Sequence, residues 1–379
     1  MHSTLPPQQE RWEPPPRAAP PAPPSHGGPL PGRVAALDGL RLCAALMVVA
    51  YHWIAFGSGA WGAEARTVFP TAHLPASYGW LGVQLFFLIS GFVICMSGWG
   101  KGVGEFAASR AARLLPAYWF AVLLAALVVR RWPTVNSAPA LRDVAVNLTM
   151  LQDPLGVEPV DGVYWTLWIE VRFYLLFALV VAAGLTYRRV LAFCGLWALA
   201  ALAARATDDD LLRELLLPYD CWYFIAGIAF YLTHRFGPNA LLWLITGGSL
   251  LIAQHDLLSA QARAESHMGH RVPHWPTLLL VLLFFLAMSA VALGWTRRLD
   301  WRWLSTAGAL TYPLYLLHER VGWVLIKRAD GRVPAHVLLP VLAAGMLVAA
   351  WLVHVGIERP LARRVRDRLR RAVTALRAA

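Results

Sequence analysis

The chain has 379 residues, of which 58% are hydrophobic and only 15% charged, with a mean hydropathy of +0.50. Soluble domains carry about 25% charged residues, so an ordinary water-soluble globular enzyme is excluded. The net charge of +12 comes from arginines lying between apolar blocks, with only Lys101 and Lys327 as lysines, a pattern of membrane topology rather than nucleic-acid binding.

Residues 1–33 hold much of the proline and almost no aliphatic side chains. Such a stretch cannot bury a core and is expected to be a disordered, partly polyproline tail. It lacks the short apolar core of a signal peptide. From Leu37 onward, apolar blocks alternate with charged loops, and a helix needs about 20 apolar residues to cross the hydrocarbon. About ten such blocks are predicted by that length criterion: 36–56, 79–97, 114–130, 165–185, 189–204, 218–233, 238–253, 275–295, 304–326 and 336–356. The sixth and seventh are interrupted by Gly227, Gly247 and Gly248.

Alternate loops carry Lys101/Arg110/Arg113, Arg188/Arg189, His234/Arg235 and Arg297/Arg298/Arg302, whereas the intervening loops are rich in Asp and Glu. The positive-inside rule then predicts both termini on the cytoplasmic side. The loop with Lys327, Arg328 and Arg332 is the one violation. The expected architecture is an all-α, polytopic transmembrane helix bundle over 34–358, with a basic cytoplasmic tail at 359–379. The Arg363–Arg371 stretch of that tail is expected to lie along the inner membrane surface as an amphipathic helix. The cysteines Cys43, Cys95, Cys194 and Cys221 fall in apolar runs without metal or disulfide spacing, and no metal is expected.

Charge inside hydrocarbon costs several kcal/mol and points to function. Arg41 and His52 are eleven residues apart on the first span, so they share one helix face about 16 Å apart along the axis. Asp38 lies one turn before Arg41, in position to pair with it. Arg110 and Arg113 project from one side at the entrance of the third span, and their planar forks suit phosphate. Glu170 lies about one and a half turns into the fourth span, at the expected depth of His52, behind an aromatic start at Trp165 and Trp168. His318 sits in the ninth block. His255, His267, His270 and His274 are read as a solvated outer loop, because their spacing matches no metal pattern.

At these residues the sequence resembles the acyltransferase 3 family of integral-membrane O-acyltransferases. The resemblance is carried by ALDGLR and YHW (Asp38 to Trp53), GVQLFFLISGFVI (Gly82 to Ile94) and RAARLLPAYW (Arg110 to Trp119). It continues through YWTLWIEVRFYLL (Tyr164 to Leu176), LTYPLYLLHE (Leu310 to Glu319) and IERPLARRVR (Ile357 to Arg366). Any one block is an ordinary apolar run; six in the family's order are specific. Arg41 and His52 match the family's Arg-to-His spacing, Arg110 and Arg113 its RxxR, and Glu170 its WxLxxE glutamate, with Trp165 leading. Gln84 stands where many members have Asp. Ending about twenty residues past its last helix, the chain resembles the family's stand-alone form.

The resemblance implies transfer of an acyl group, acetyl being the first expectation, from cytosolic acyl-CoA to a hydroxyl of a sugar. Acceptors of that kind include envelope polysaccharide, peptidoglycan and glycosylated metabolites such as macrolides. In that chemistry Arg41, Arg110 and Arg113 would hold the donor's phosphates. His52 would be the general base and Glu170 would orient it, as the carboxylate of a triad does. Ser90, Trp165 and His318 are candidates for contacting substrate or the oxyanion. A transporter or exporter, with the same charges as substrate or proton-relay groups, is the competing expectation; it would release no free thiol from acyl-CoA.

Overall fold

In the computed structural model, residues 34–299 and 301–378 are described; the proline-rich 1–33 segment lies outside them. Among the described residues the regular structure is entirely helical. The long helices are α1 (Ala35–Ala50, continued by a π-helical turn at Tyr51–Ala55), α2 (Gly82–Gly98), α3 (Val103–Arg131), α4 (Trp165–Ala183), α5 (Tyr187–Arg205) and α6 (Cys221–Phe236). They are followed by α7 (Ala240–Met268), α8 (Trp275–Ala292), α9 (Arg302–Leu317) and α10 (Arg320–Ala329). The last are α11 (Ala335–Val353, continued by a π-helical turn at His354–Glu358) and α12 (Arg359–Ala378).

Local chemistry accounts for several of the boundaries. The Thr186 hydroxyl and the Asn239 side chain accept from the Arg189 and Leu242 amides, satisfying donors that the first turns of α5 and α7 leave open. Gly269, at φ 74°, ends α7 in the left-handed conformation.

Nine helical segments among the described residues are long and apolar enough to cross a membrane. The ninth predicted block is the difference: it divides into α9 and α10 around His318 and Glu319. The interruption places an imidazole and a carboxylate side by side at an inward-facing corner, which an uninterrupted helix would have pointed about 100° apart. Two further boundaries move. α3 begins at Val103, so Arg110 and Arg113 lie within a helix rather than before one. α7 runs to Met268 through Gly247 and Gly248, so His255 and His267 are helical and only His270 and His274 remain in the connection to α8.

Helices α2 and α6 form the inner layer; 78% of the apolar window of each segment is buried, against 28% for the segments of α5, α7 and α11. They cross at two glycines. A Cβ on Gly91 would stand 2.2 Å from the Phe224 carbonyl oxygen, and one on Gly227 would stand 2.1 Å from that of Leu88. Lipid tails are as apolar as leucine, so close backbone approach through small residues drives such packing. Gly227, which looked like an interruption in the sequence, is a contact point. α1 packs between α2 and α9, and α12 lies on α3.

Candidate active site

The site is built where the end of α1 meets the α9–α10 corner. The π-helical turn at Tyr51–Ala55 takes carbonyls out of the regular α-helical ladder, and indoles satisfy two of them. Trp323 Nε1 donates to the His52 carbonyl at 2.8 Å, and Trp61 Nε1 to that of Trp53 at 2.7 Å. In return Trp53 Nε1 donates to the His318 carbonyl at 2.8 Å, locking the two elements together. Only glycine fits at 322, where a Cβ would stand 2.5 Å from Trp53 Nε1.

Hydrogen-bond partners assign the tautomers. His318 Nδ1 lies 2.7 Å from the Tyr315 carbonyl, which can only accept, so this nitrogen carries hydrogen and Nε2 is the acceptor. That Nε2 lies 3.1 Å from His52 Nδ1, which also lies 2.9 Å from the Val48 carbonyl. His52 Nδ1–H is therefore a donor shared between two acceptors, and the basic lone pair of His52 is on Nε2. Facing it at 3.6 Å is Glu319 Oε2. At that separation the carboxylate is beyond direct hydrogen-bond length, close enough to orient and stabilise an imidazolium while leaving the lone pair open to a substrate.

Glu319 is 4% exposed and Asp161 is fully buried. Their carboxyl groups lie close enough to interact directly. The Arg320 amide donates to Asp161 Oδ2 at 3.0 Å and the Val163 amide to Oδ1 at 3.3 Å. Burial raises the Asp161 carboxyl above its ordinary range, and the Arg320 amide and guanidinium oppose that shift.

The remaining candidates fall into two other places. Glu170, expected beside His52, accepts instead from Ser90 Oγ at 2.7 Å and from Tyr174 hydroxyl at 2.5 Å. Its charged neighbours include Arg41, which lies about 16 Å from His52 along α1. Ser90 thus donates to a carboxylate rather than to an imidazole. Arg41 Nη1 pairs with Asp38 at 3.1 Å, as the spacing predicted. Arg113 pairs with the buried Glu358, whose other oxygen lies 2.8 Å from His354 Nδ1, and its guanidinium lies over Tyr312. Arg110 reaches Ser109 at 3.0 Å, and its Nε is buried with no partner among the described residues. Trp165 is 44% exposed on the outside of the bundle and joins neither group.

The sequence reading passed over Glu319, Asp161, Glu358 and Trp323 as site residues. A signal for Glu319 was present: a second ionisable group beside His318 within an apolar block. Asp161 carried none, since it reads as one more acid in a polar loop.

Beyond His52, a cavity of about 550 Å³ opens among Phe56, Trp61, Arg66, His73, His270 and Lys327. Phe56 forms its inner wall, with its ring 5.6 Å from that of His52 and stacked on Trp323 at 5.1 Å. An imidazole whose Nε2 makes no hydrogen bond among the described residues, a carboxylate facing that nitrogen at 3.6 Å, a cavity nearby and arginines toward the other end of α1 suit proton abstraction from a polar substrate.

The sequence profile of the acyltransferase domain family matches residues 34–355. This chain belongs to the acyltransferase 3 family. The exopolysaccharide production protein ExoZ of Rhizobium meliloti (strain 1021) is 31% identical over 311 residues, covering 76% of this chain and 92% of ExoZ. No solved structure matches the chain. As an acyltransferase 3 protein with many long apolar helices, it is a multi-pass membrane transferase.

Proposed function

We propose that the protein is an O-acyltransferase of the cell's inner membrane that moves an acyl group, acetyl being the first expectation, from cytosolic acyl-CoA to a hydroxyl of a carbohydrate acceptor. The observation that carries this reading is His52: its Nε2 faces Glu319 at 3.6 Å, and its ring lies 5.6 Å from that of Phe56, which lines the 550 Å³ cavity. The family and the similarity to ExoZ support acyl transfer, and the link of ExoZ to exopolysaccharide supports a glycan as acceptor.

In this reading both termini are cytoplasmic and the basic end of the bundle receives the donor. Arg110, Arg113 and Arg41 hold the phosphates of acyl-CoA, and Arg110, with its partnerless buried Nε, is the least committed of the three. The thioester arm extends along α1 toward His52, about 16 Å from Arg41. The acceptor sugar enters from the opposite side through the cavity, against Phe56 and Trp61.

His52 Nε2 takes the hydroxyl proton as the oxygen attacks the thioester carbonyl. The C–S bond then breaks, and the departing thiolate takes the proton from the imidazolium. Glu319 orients the ring and stabilises its charged form. His318, which accepts from Nδ1–H, holds the productive tautomer. Glu170 belongs with Ser90 and Tyr174 to the donor side, balancing the arginines. Direct transfer is favoured over an acyl-Ser90 intermediate, because the Ser90 hydroxyl donates to the Glu170 carboxylate rather than to an imidazole.

The test uses purified protein in detergent with acetyl-CoA and a de-acetylated oligosaccharide. Free thiol and an acetylated product are expected together, and both are expected to fall by about 10²–10⁴-fold in His52→Ala. A protein that binds the glycan and releases no thiol from any acyl-CoA would instead be a transporter. Mass spectrometry of envelope glycans and secreted metabolites from a deletion strain would identify the acceptor.

A further inference from the structure

Behind Glu319 lies a second carboxylate that the reaction as written does not use. Asp161 comes from the connection preceding α4, not from α1 or the α9–α10 corner, yet it is fully buried against Glu319. The fit is close: a Cβ on the adjoining Gly162 would stand 2.4 Å from Glu319 Oε1. Two buried carboxyl groups in contact cannot both ionise, and one proton must be shared between them. Asp161 already accepts two backbone amides, while Glu319 is the member that faces His52.

We propose that Asp161 is a positioning residue that shares a single proton with Glu319 and so sets how much negative charge His52 meets. The reasoning deepens the acyl-transfer reading above and rests on it. A base must be unprotonated before substrate arrives. A fully ionised Glu319 at 3.6 Å, in surroundings with little water, would hold His52 as a resting imidazolium and remove the lone pair. With the proton shared, Glu319 carries only part of a charge at rest. When His52 takes the acceptor's proton, the shared proton moves from Glu319 to Asp161, and full negative charge appears opposite the new imidazolium. When the thiolate takes the proton from His52, the shared proton returns. No net proton is gained or lost at the carboxyl pair.

The other groups facing the pair are the Arg320 guanidinium and the hydroxyls of Tyr51, Tyr118, Tyr164 and Tyr315. His318 and His267 face His52. The Arg320 charge keeps the pair singly anionic rather than neutral.

The first readout needs no transfer activity. Infrared difference spectra of the full-length protein in detergent at neutral pH should show a protonated carboxyl band that is absent from both Asp161→Asn and Glu319→Gln. A wild-type band that persists in Asp161→Asn, or no band to lose, would overturn the proposal. Should Asp161→Asn fail to fold, the wild type against Glu319→Gln decides in the same way. The second readout is the pH profile of kcat/KM. In Asp161→Asn the undivided charge on Glu319 should move the acid limb up by about one pH unit, whereas Glu319→Gln should move it down. If Asp161 only capped α10, its variant would lower kcat with the limb in place. A wild type that transfers no acyl group would sink the enzymatic reading, and the infrared comparison would still decide where the proton sits.

Discussion

His52 is tied to neighbours through Nδ1 and through its backbone carbonyl, and these ties divide the labour of the side chains around it. Nδ1–H is spent on Val48 and His318, which leaves Nε2 for chemistry. Replacing His52 by alanine should cut transfer by about 10²–10⁴-fold, the usual worth of a general base, while the protein still inserts and binds acyl-CoA. Measured turnover and donor binding in detergent check both halves. Arg110 is expected to act on the donor alone. Losing one charge-assisted bond of about 1.5–3 kcal/mol in Arg110→Ala should raise the donor KM about tenfold or more with kcat little changed. An equal fall in kcat would place Arg110 in the chemical step instead.

Between elements, the decisive contacts are close backbone crossings and one break. The α2–α6 crossing at Gly91 and Gly227 has no room for a methyl group. Gly91→Ala should therefore destabilise the protein by about 1–3 kcal/mol, the range for overpacking a filled interior, seen as a lower midpoint for thermal aggregation in detergent. The corresponding change at Gly247, where an added Cβ would meet nothing within 4 Å beyond its chain neighbours and its own helix backbone, should leave that midpoint unchanged. Both glycines lie in apolar blocks and look alike in the sequence; the neighbour that each one meets separates them. The corner between α9 and α10 is of the same kind. The apolar run from 304 to 326 reads as one span, and only its packing against the π-helical end of α1 turns His318 and Glu319 inward together.

At the scale of the whole molecule, the proposed reaction requires the two ends of the bundle to face opposite compartments. In a cysteine-free background, Ala63→Cys should react with an impermeant maleimide on intact cells, and Arg298→Cys only after permeabilisation. Both positions are exposed. The reverse pattern would turn the donor end outward and remove acyl-CoA as the substrate. Donor and acceptor would then meet within the protein, neither crossing the bilayer, and His52 marks the meeting point.

Hydropathy, loop charge and six ordered motifs were enough to establish an all-helical membrane acyltransferase and to single out Arg41, Arg110, Arg113 and His52. These signals are local, because a span, a positive loop or a motif is complete within one stretch of chain. The partner of His52 was a different matter. Helical depth along single spans pointed to Glu170, but depth says nothing about rotation or about which helices adjoin. Glu319 and Asp161 stand 158 positions apart, and only packing joins them. Tertiary structure alone brings them together, because burial against a distant partner is a property of the packed molecule and not of either stretch of chain.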